Sequence, residues 1–248
     1  MTPVAIPPQA FEFFAGLSAN NNRDWYLANK SLFESKVKTP FVSLLEEVSL
    51  RLAGETTPLR GGAGTIFRIN RDVRFSHDKS PYKTHIAGLL TESGSKDPSE
   101  PLVYLHLDSS GGFLAAGLWQ PDTDNLRALR NRMIEDEAGF SQLVRSLANN
   151  GLQFDRSEAT KMMPRGFSDF SDHPHSDYVK LKNLIVRAEV PSNLWAEEKI
   201  VDAVVDFVLY ASPLLKFLRK GKSTTAGLKM SGHMSVTTAV IVTQRDTL

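Results

Sequence analysis

The sequence contains no cysteine. Structural disulfides, thiolate nucleophiles and cysteine-ligated zinc or iron–sulfur sites are therefore excluded. It has almost no excess charge: 29 Lys and Arg against 28 Asp and Glu leave +1. No global field draws such a chain to nucleic acid or membrane, so any anion-binding surface must be local. No stretch reaches about 18 uninterrupted apolar residues, which argues against a membrane span. Met1–Pro8 has neither the basic stretch nor the apolar core of a secretory signal, and the expectation is a cytoplasmic protein.

Catalytic signatures are also missing. There is no His-Glu-x-x-His ligand motif and no Gly-x-Ser-x-Gly elbow. Gly221-Lys222-Ser223-Thr224 matches the end of a phosphate-binding loop, but Lys216 stands where its first glycine belongs and no strand leads into it. Gly61-Gly62-Ala63-Gly64 precedes a strand rather than a helix, which rules out a dinucleotide fingerprint. No metal site is assigned, and nothing specifies a cofactor or an oligomeric state. What is present is 248 residues, 41% of them hydrophobic, enough for one large domain with a substantial core.

The densest chemistry lies in one run, Phe67-Arg68-Ile69-Asn70-Arg71-Asp72-Val73-Arg74-Phe75-Ser76-His77-Asp78-Lys79-Ser80-Pro81-Tyr82-Lys83-Thr84-His85. Its first half alternates. In an extended strand Phe67, Ile69, Val73 and Phe75 share one face, and Arg68, Asn70, Asp72 and Arg74 the other. Arg71 falls in register with the apolar set, where a guanidinium needs a partner. Ser80-Pro81 marks a turn that folds the Tyr82–His85 half back on the strand, gathering Arg74, Lys79, Lys83 and His85 around one pocket.

Around this run the periodicities separate into helical ends and a strand-rich middle. Residues 8–54 read as helical, with Phe11, Phe14 and Leu17, then Trp25 and Tyr26, at helical spacing, and Asn20-Asn21-Asn22 as a break and cap. A longer helix from about Ser31 carries Leu44, Leu45, Val48 and Leu52. Ile86–Leu90, Leu102–Leu107 and Phe113–Leu118 read as antiparallel strands, with a hairpin turn at Ser109-Ser110-Gly111-Gly112. Asp122 or Asp124 caps a helix bearing Leu126, Leu129, Met133 and Ile134, and another helix covers Gly139–Ala148. Residues 155–180 are irregular, Leu184–Val190 is a strand, and Ala196–Leu218 is a long final helix. The expected fold is a single α+β domain over 1–220, with helical N- and C-terminal parts flanking a mainly antiparallel sheet. Residues 221–248, rich in Ser, Thr and Gly, are expected to be a mobile tail with Val236–Val242 as a possible added strand.

The run from Arg71 to Thr84 resembles the signature of the bacterial and fungal family known as domain of unknown function 2461. Further matches follow in order: Leu17-x-x-Asn20-Asn21-x-x-x-Trp25-Tyr26-x-x-Asn29-Lys30, then Gly117-x-Trp119-x-Pro121, then Pro164-x-Gly166-Phe167 and His173-Pro174. The resemblance covers about residues 8–220. It implies a single α+β domain and brings with it no activity, substrate or cofactor.

Function is therefore read from residues. Arg68, Arg71, Arg74, Lys79 and Lys83 place five cations against Asp72 and Asp78, leaving positive charge uncompensated. With His85 they are expected to form an anion site for phosphate or carboxylate. Asp72 and His173 are the candidate proton carriers, and Tyr82 and Trp119 the candidate stacking residues. His173 and His175 share a face if extended and with Asp72 or Asp78 could make a His/carboxylate metal site, a lesser alternative since no compact ligand motif is present. Three readings compete. One is a pocket, and from it an enzyme, for an anionic small molecule. The second is a module binding nucleic acid or another polyanion. The third is a non-enzymatic scaffold whose charged run is a structural ion-pair hairpin.

Overall fold

A computed structural model describes residues 4–56 and 58–219. The tail expected from residue 221, including Val236–Val242, lies outside the described residues. The chain opens with helix α1 (Gln9–Ala19) and helix α2 (Arg23–Leu32). Of the three asparagines between them, Asn22 is the cap: its side chain accepts from Trp25 N at 3.0 Å. Where a new helix was expected near Ser31, α2 runs on without a break. A π-helical turn at Phe33–Lys38 joins it to α3 (Thr39–Arg51). Pro40 has no amide to donate to the preceding turn, which favours a locally widened helix. The Thr39 hydroxyl donates to Glu34 O at 2.8 Å there. The predicted stripe Leu44, Leu45, Val48 and Leu52 is fully buried.

A four-stranded antiparallel sheet follows, in spatial order β1 (Ile86–Thr91), β2 (Leu102–Asp108), β3 (Gly111–Leu118) and β4 (Leu184–Glu189). The predicted hairpin forms at Ser109-Ser110, with Asp108 opposite Gly111. Between β3 and β4 lie α4 (Thr123–Glu135), capped by Asp122 at Asn125 N, then α5 (Glu137–Asn149) and the short helix α6 (Ser176–Val179). The chain then passes through α7 (Ser192–Trp195) into α8 (Ile200–Arg219). This is an α+β fold with helices at both ends of an antiparallel sheet. None of the described helices is long and apolar enough to cross a membrane.

The two faces of the sheet differ because successive side chains alternate. Val103, Leu105 and Leu107 on β2, with Leu114, Ala116 and Leu118 on β3, are buried in the main core, and α8 packs on β3. Gly88 of β1 belongs to this face: a Cβ there would lie 2.8 Å from Leu45 of α3. The opposite face carries Ala87, Tyr104, His106, Phe113 and Arg187.

The alternating run at 67–75 is not a continuous strand. Single bridges tie Ile66 to Gly88 and Asn70 to Tyr82, and beyond Asn70 the chain leaves the sheet. Phe75, expected on the apolar face, is 94% exposed. The fold-back at Ser80-Pro81 does occur: Arg71 N donates to Pro81 O at 2.9 Å and Lys83 N to Ile69 O at 2.7 Å. Asn21, next to the cap Asn22, holds its base. Asn21 donates to Tyr82 O at 2.9 Å and accepts from Tyr82 N at 3.1 Å, pinning this hairpin to the α1–α2 turn.

Candidate functional site

Within the charged run the carboxylates choose their partners locally. Asp72 accepts from Arg74 Nη2 at 2.6 Å and Nε at 2.9 Å. These bonds hold its carboxyl down at about 2, so Asp72 is a poor proton acceptor at neutral pH. Arg71, in register with the apolar side, finds its partner in Asp78. The Asp78 carboxyl is lowered to about 2, first by hydrogen bonds from Ser80 and then by Arg71. Lys79 donates to Val73 O at 2.9 Å. Arg74 and Lys79 are thus engaged within an exposed loop, and the expected gathering of Arg74, Lys79, Lys83 and His85 around one pocket does not form.

Tyr82 is 6% exposed and stacks on Tyr26 with ring centroids 4.3 Å apart. It belongs to the core, and its ring is not free to stack on a ligand. Trp119 is half-buried, with an indole N–H that is buried and unpartnered among the described residues. His173 sits 3.4 Å from Glu137 at the start of α5, and its Nδ1 accepts from His175 N at 3.1 Å. No hydrogen bond or ion pair joins it to Asp72, so these two candidate proton carriers are not brought together.

Lys83 and His85 take a different course. They lead into β1 and reach the sheet face that lacks the helical layer. Lys83 Nζ lies 5.5 Å from the Phe67 ring centroid, and Lys96 Nζ lies 5.8 Å from the same centroid. Burial first, then Arg68, Arg71 and Lys96, push the Lys83 ammonium below its usual range. Neither Lys83, Lys96 nor Arg68 forms an ion pair among the described residues; Lys96 donates to Ile66 O at 3.0 Å, and Arg68 acts on Asp72 only through its field. From Phe67 a row of rings crosses the sheet to Tyr104 at 6.2 Å and on to Phe113 at 5.7 Å. Arg187 closes the far end, its guanidinium 3.6 Å from the Phe113 centroid.

Beside this row runs a chain of proton-bearing groups. Asp108 Oδ2 lies 3.6 Å from His106 Nε2, and Tyr104 Oη lies 3.2 Å from His106 Nδ1. With the Nε2 proton facing the carboxylate, Nδ1 accepts from the phenol. Bonding to His106 holds the Asp108 carboxyl well below the usual carboxylate range, and burial raises the Tyr104 phenol. His85 packs against His106 with centroids 4.2 Å apart. Burial, then His106 and Lys83, lower His85 to about 3, so its imidazole is neutral at physiological pH. The face therefore combines three cations without ion pairs, an arginine paired to Glu189 at 2.7 Å, a row of aromatic rings and a neutral imidazole next to an oriented Asp–His pair.

The segments matching the resemblance noted from sequence hold this arrangement together: Asn21 and Tyr26 grip Tyr82, and the charged run delivers Lys83 and His85. The chain belongs to the DUF2461 family. The family model, described as a conserved hypothetical protein, matches residues 9–217. A search of curated proteins gives no match. In this DUF2461 protein Tyr104, His106, Asp108, Phe113, Lys96 and Arg187 join the candidate site although the charged run does not point to them. The signal for the first three was present: in Leu102–Asp108 they alternate with Val103, Leu105 and Leu107, so a buried apolar face implies an opposite face of their composition. Lys96 sits in a loop, and nothing in its local sequence points to Phe67. Among the described residues no group of three or more His, Asp and Glu side chains is placed to hold a metal ion.

Proposed function

We propose that this protein binds an anionic small molecule on the open sheet face, between the Lys83–Lys96–Arg68 cations and Arg187. The observation that carries the reading is Lys83, drawn into a half-buried position among Arg68, Arg71 and Lys96 without a carboxylate to neutralise it. Such crowding is costly unless an anion from outside completes it. The row Phe67, Tyr104 and Phe113 supplies apolar and π surface for the organic part of that ligand. A second reading concerns chemistry. Asp108, His106 and Tyr104 form a connected chain beside the cation cluster, positioned to orient a polar group of the bound anion, whereas His85, held to about 3, is as poor a proton acceptor at neutral pH as Asp72. That chain, rather than His85, supports the reading of an enzyme acting on the bound anion.

The experiment is calorimetric titration of the full chain with nucleotides, sugar phosphates and di- and tricarboxylates, repeated with Lys83→Met and Arg71→Ala. Arg71 is committed to Asp78, so its loss should leave affinity within about threefold, whereas Lys83→Met should weaken binding about tenfold or more. Equal effects of the two changes would sink the reading and favour the structural ion-pair hairpin. Binding confined to oligonucleotides and lost steeply with salt would instead favour the polyanion module.

A further inference from the structure

A second concentration of positive charge lies away from this face, where the first turns of α4 meet the loop Pro164–Phe167. They enclose a cleft of about 500 Å³, a volume suited to a small organic ligand. Three guanidiniums line it, from Arg127, Arg130 and Arg165, and no carboxylate does. None of the three forms an ion pair with a described residue. The neighbouring acid Asp122 is committed to capping α4.

Arg130 is the least satisfied of these groups. One of its Nη atoms donates to Leu181 O at 2.9 Å, which fixes the side chain, and its Cζ lies 6.0 Å from the Phe167 centroid. Its Nε is buried without a partner. Arginine keeps its proton at neutral pH, so a partly buried positive charge stands here with an open donor. The loop geometry belongs to the same feature. Gly166 has φ +86°, and a Cβ there would sit 3.4 Å from Arg127 Nη2. Glycine lets the loop take this left-handed turn beside the guanidinium.

We propose that the Arg127–Arg130–Arg165 cleft is a binding site for the phosphate monoester of a small organic molecule. Arg127 and Arg165 each present a fork, and Arg130, with one Nη on Leu181 O, adds its charge and its other Nη, a set that suits a dianion with three terminal oxygens. A single carboxylate offers one charge against these three. The cleft far exceeds a free phosphate in volume, and Pro164 and Phe167 give it an apolar wall for the ester's organic part.

The test is calorimetric titration of the full chain with phenyl phosphate and with inorganic phosphate. Phenyl phosphate is expected to bind saturably and more tightly than inorganic phosphate. Arg127 and Arg165 are exposed, so the double change Arg127→Ala with Arg165→Ala should keep the melting temperature and weaken phenyl phosphate about tenfold or more. Lys83→Met should retain the binding, which separates this site from the sheet face. No saturable binding, or unchanged affinity in the double variant, would overturn the proposal. Equal affinities for the two phosphates would overturn the assignment to an ester.

Discussion

Asn21→Ala tests the link between the N-terminal helices and the segment that delivers Lys83 and His85. Asn21 bridges 61 residues of sequence, donating to Tyr82 O and accepting from Tyr82 N. Alanine removes both bonds and leaves an amide and a carbonyl unpaired on a residue that is 6% exposed. A typical net hydrogen bond contributes about 1 kcal/mol, and a buried polar group left unsatisfied costs about 1–3 kcal/mol. Asn21 is itself only half-buried, so water can reach part of the gap, and the expected loss is about 2–4 kcal/mol. For a chain of this size that corresponds to a fall in melting temperature on the order of 10 °C. Asn20→Ala is the internal control. It deletes the same side chain one position earlier, where the amide makes a single exposed bond to Gly16 O at 3.1 Å, and it should cost less than about 1 kcal/mol. Urea denaturation of both variants gives the comparison through the midpoint at constant slope. If Asn21→Ala costs no more than Asn20→Ala, the two-bond clamp does not carry the hairpin and the reasoning fails.

Two further predictions concern the sheet. Gly117→Ala should unfold or severely destabilise the protein by circular dichroism, since φ is +144° and the new Cβ would lie 1.9 Å from Leu184 O across the β3–β4 ladder; a variant with wild-type stability would refute that close approach. Stability should also depend on pH through His85, whose folded value of about 3 lies below the unfolded imidazole near 6.5. Above about pH 6.5 neither state binds this proton. As pH falls from there towards 3 only the unfolded chain binds it, so stability declines across that window. His85→Gln should flatten the decline between pH 6.5 and 4 in urea melts, and an unchanged slope would show that another group is responsible. Asp108, also depressed, contributes only below the unfolded carboxylate value near 4.

Much of the fold could be read from local pattern. The strands were marked by alternation between Gly, Pro and Ser boundaries, and the core-facing halves of α3 and α8 by helical spacing. These signals lie within one element, where side-chain period and burial are directly linked. The miss at 67–75 has a clear cause. The period-two pattern is genuine as far as Asn70, which bridges Tyr82. Past that point no partner strand continues, and alternation without a ladder does not hold a chain extended. The widened turn at Phe33–Lys38 was likewise hidden. A new helix is expected from about Ser31, whereas the structure runs α2 into α3 through Pro40 by shifting the hydrogen bonds of one turn.

The candidate site was less legible because charge pairing depends on loop shape. Counting five cations against two carboxylates points to an excess but gives no way to tell which cations remain. Asp72 takes Arg74 two residues away, and Asp78 takes Arg71 seven residues back. That pairs two of the five cations and leaves Arg68, Lys79 and Lys83 without an ion pair, Lys79 turning to the Val73 carbonyl instead. Lys96, from the β1–β2 connection, then joins Lys83 over Phe67. The remaining groups are placed by strand register. Ala87 pairs with His106 and His106 with Phe113, so the small Ala87 leaves room beside the imidazole and His85 packs against it. A one-residue slip in either pairing would move Tyr104, His106 and Asp108 into the helical core. The apolar alternation that buries Val103, Leu105 and Leu107 is therefore also what holds the polar cluster on the open face, and the stability of that core and the geometry of the site are set by the same register.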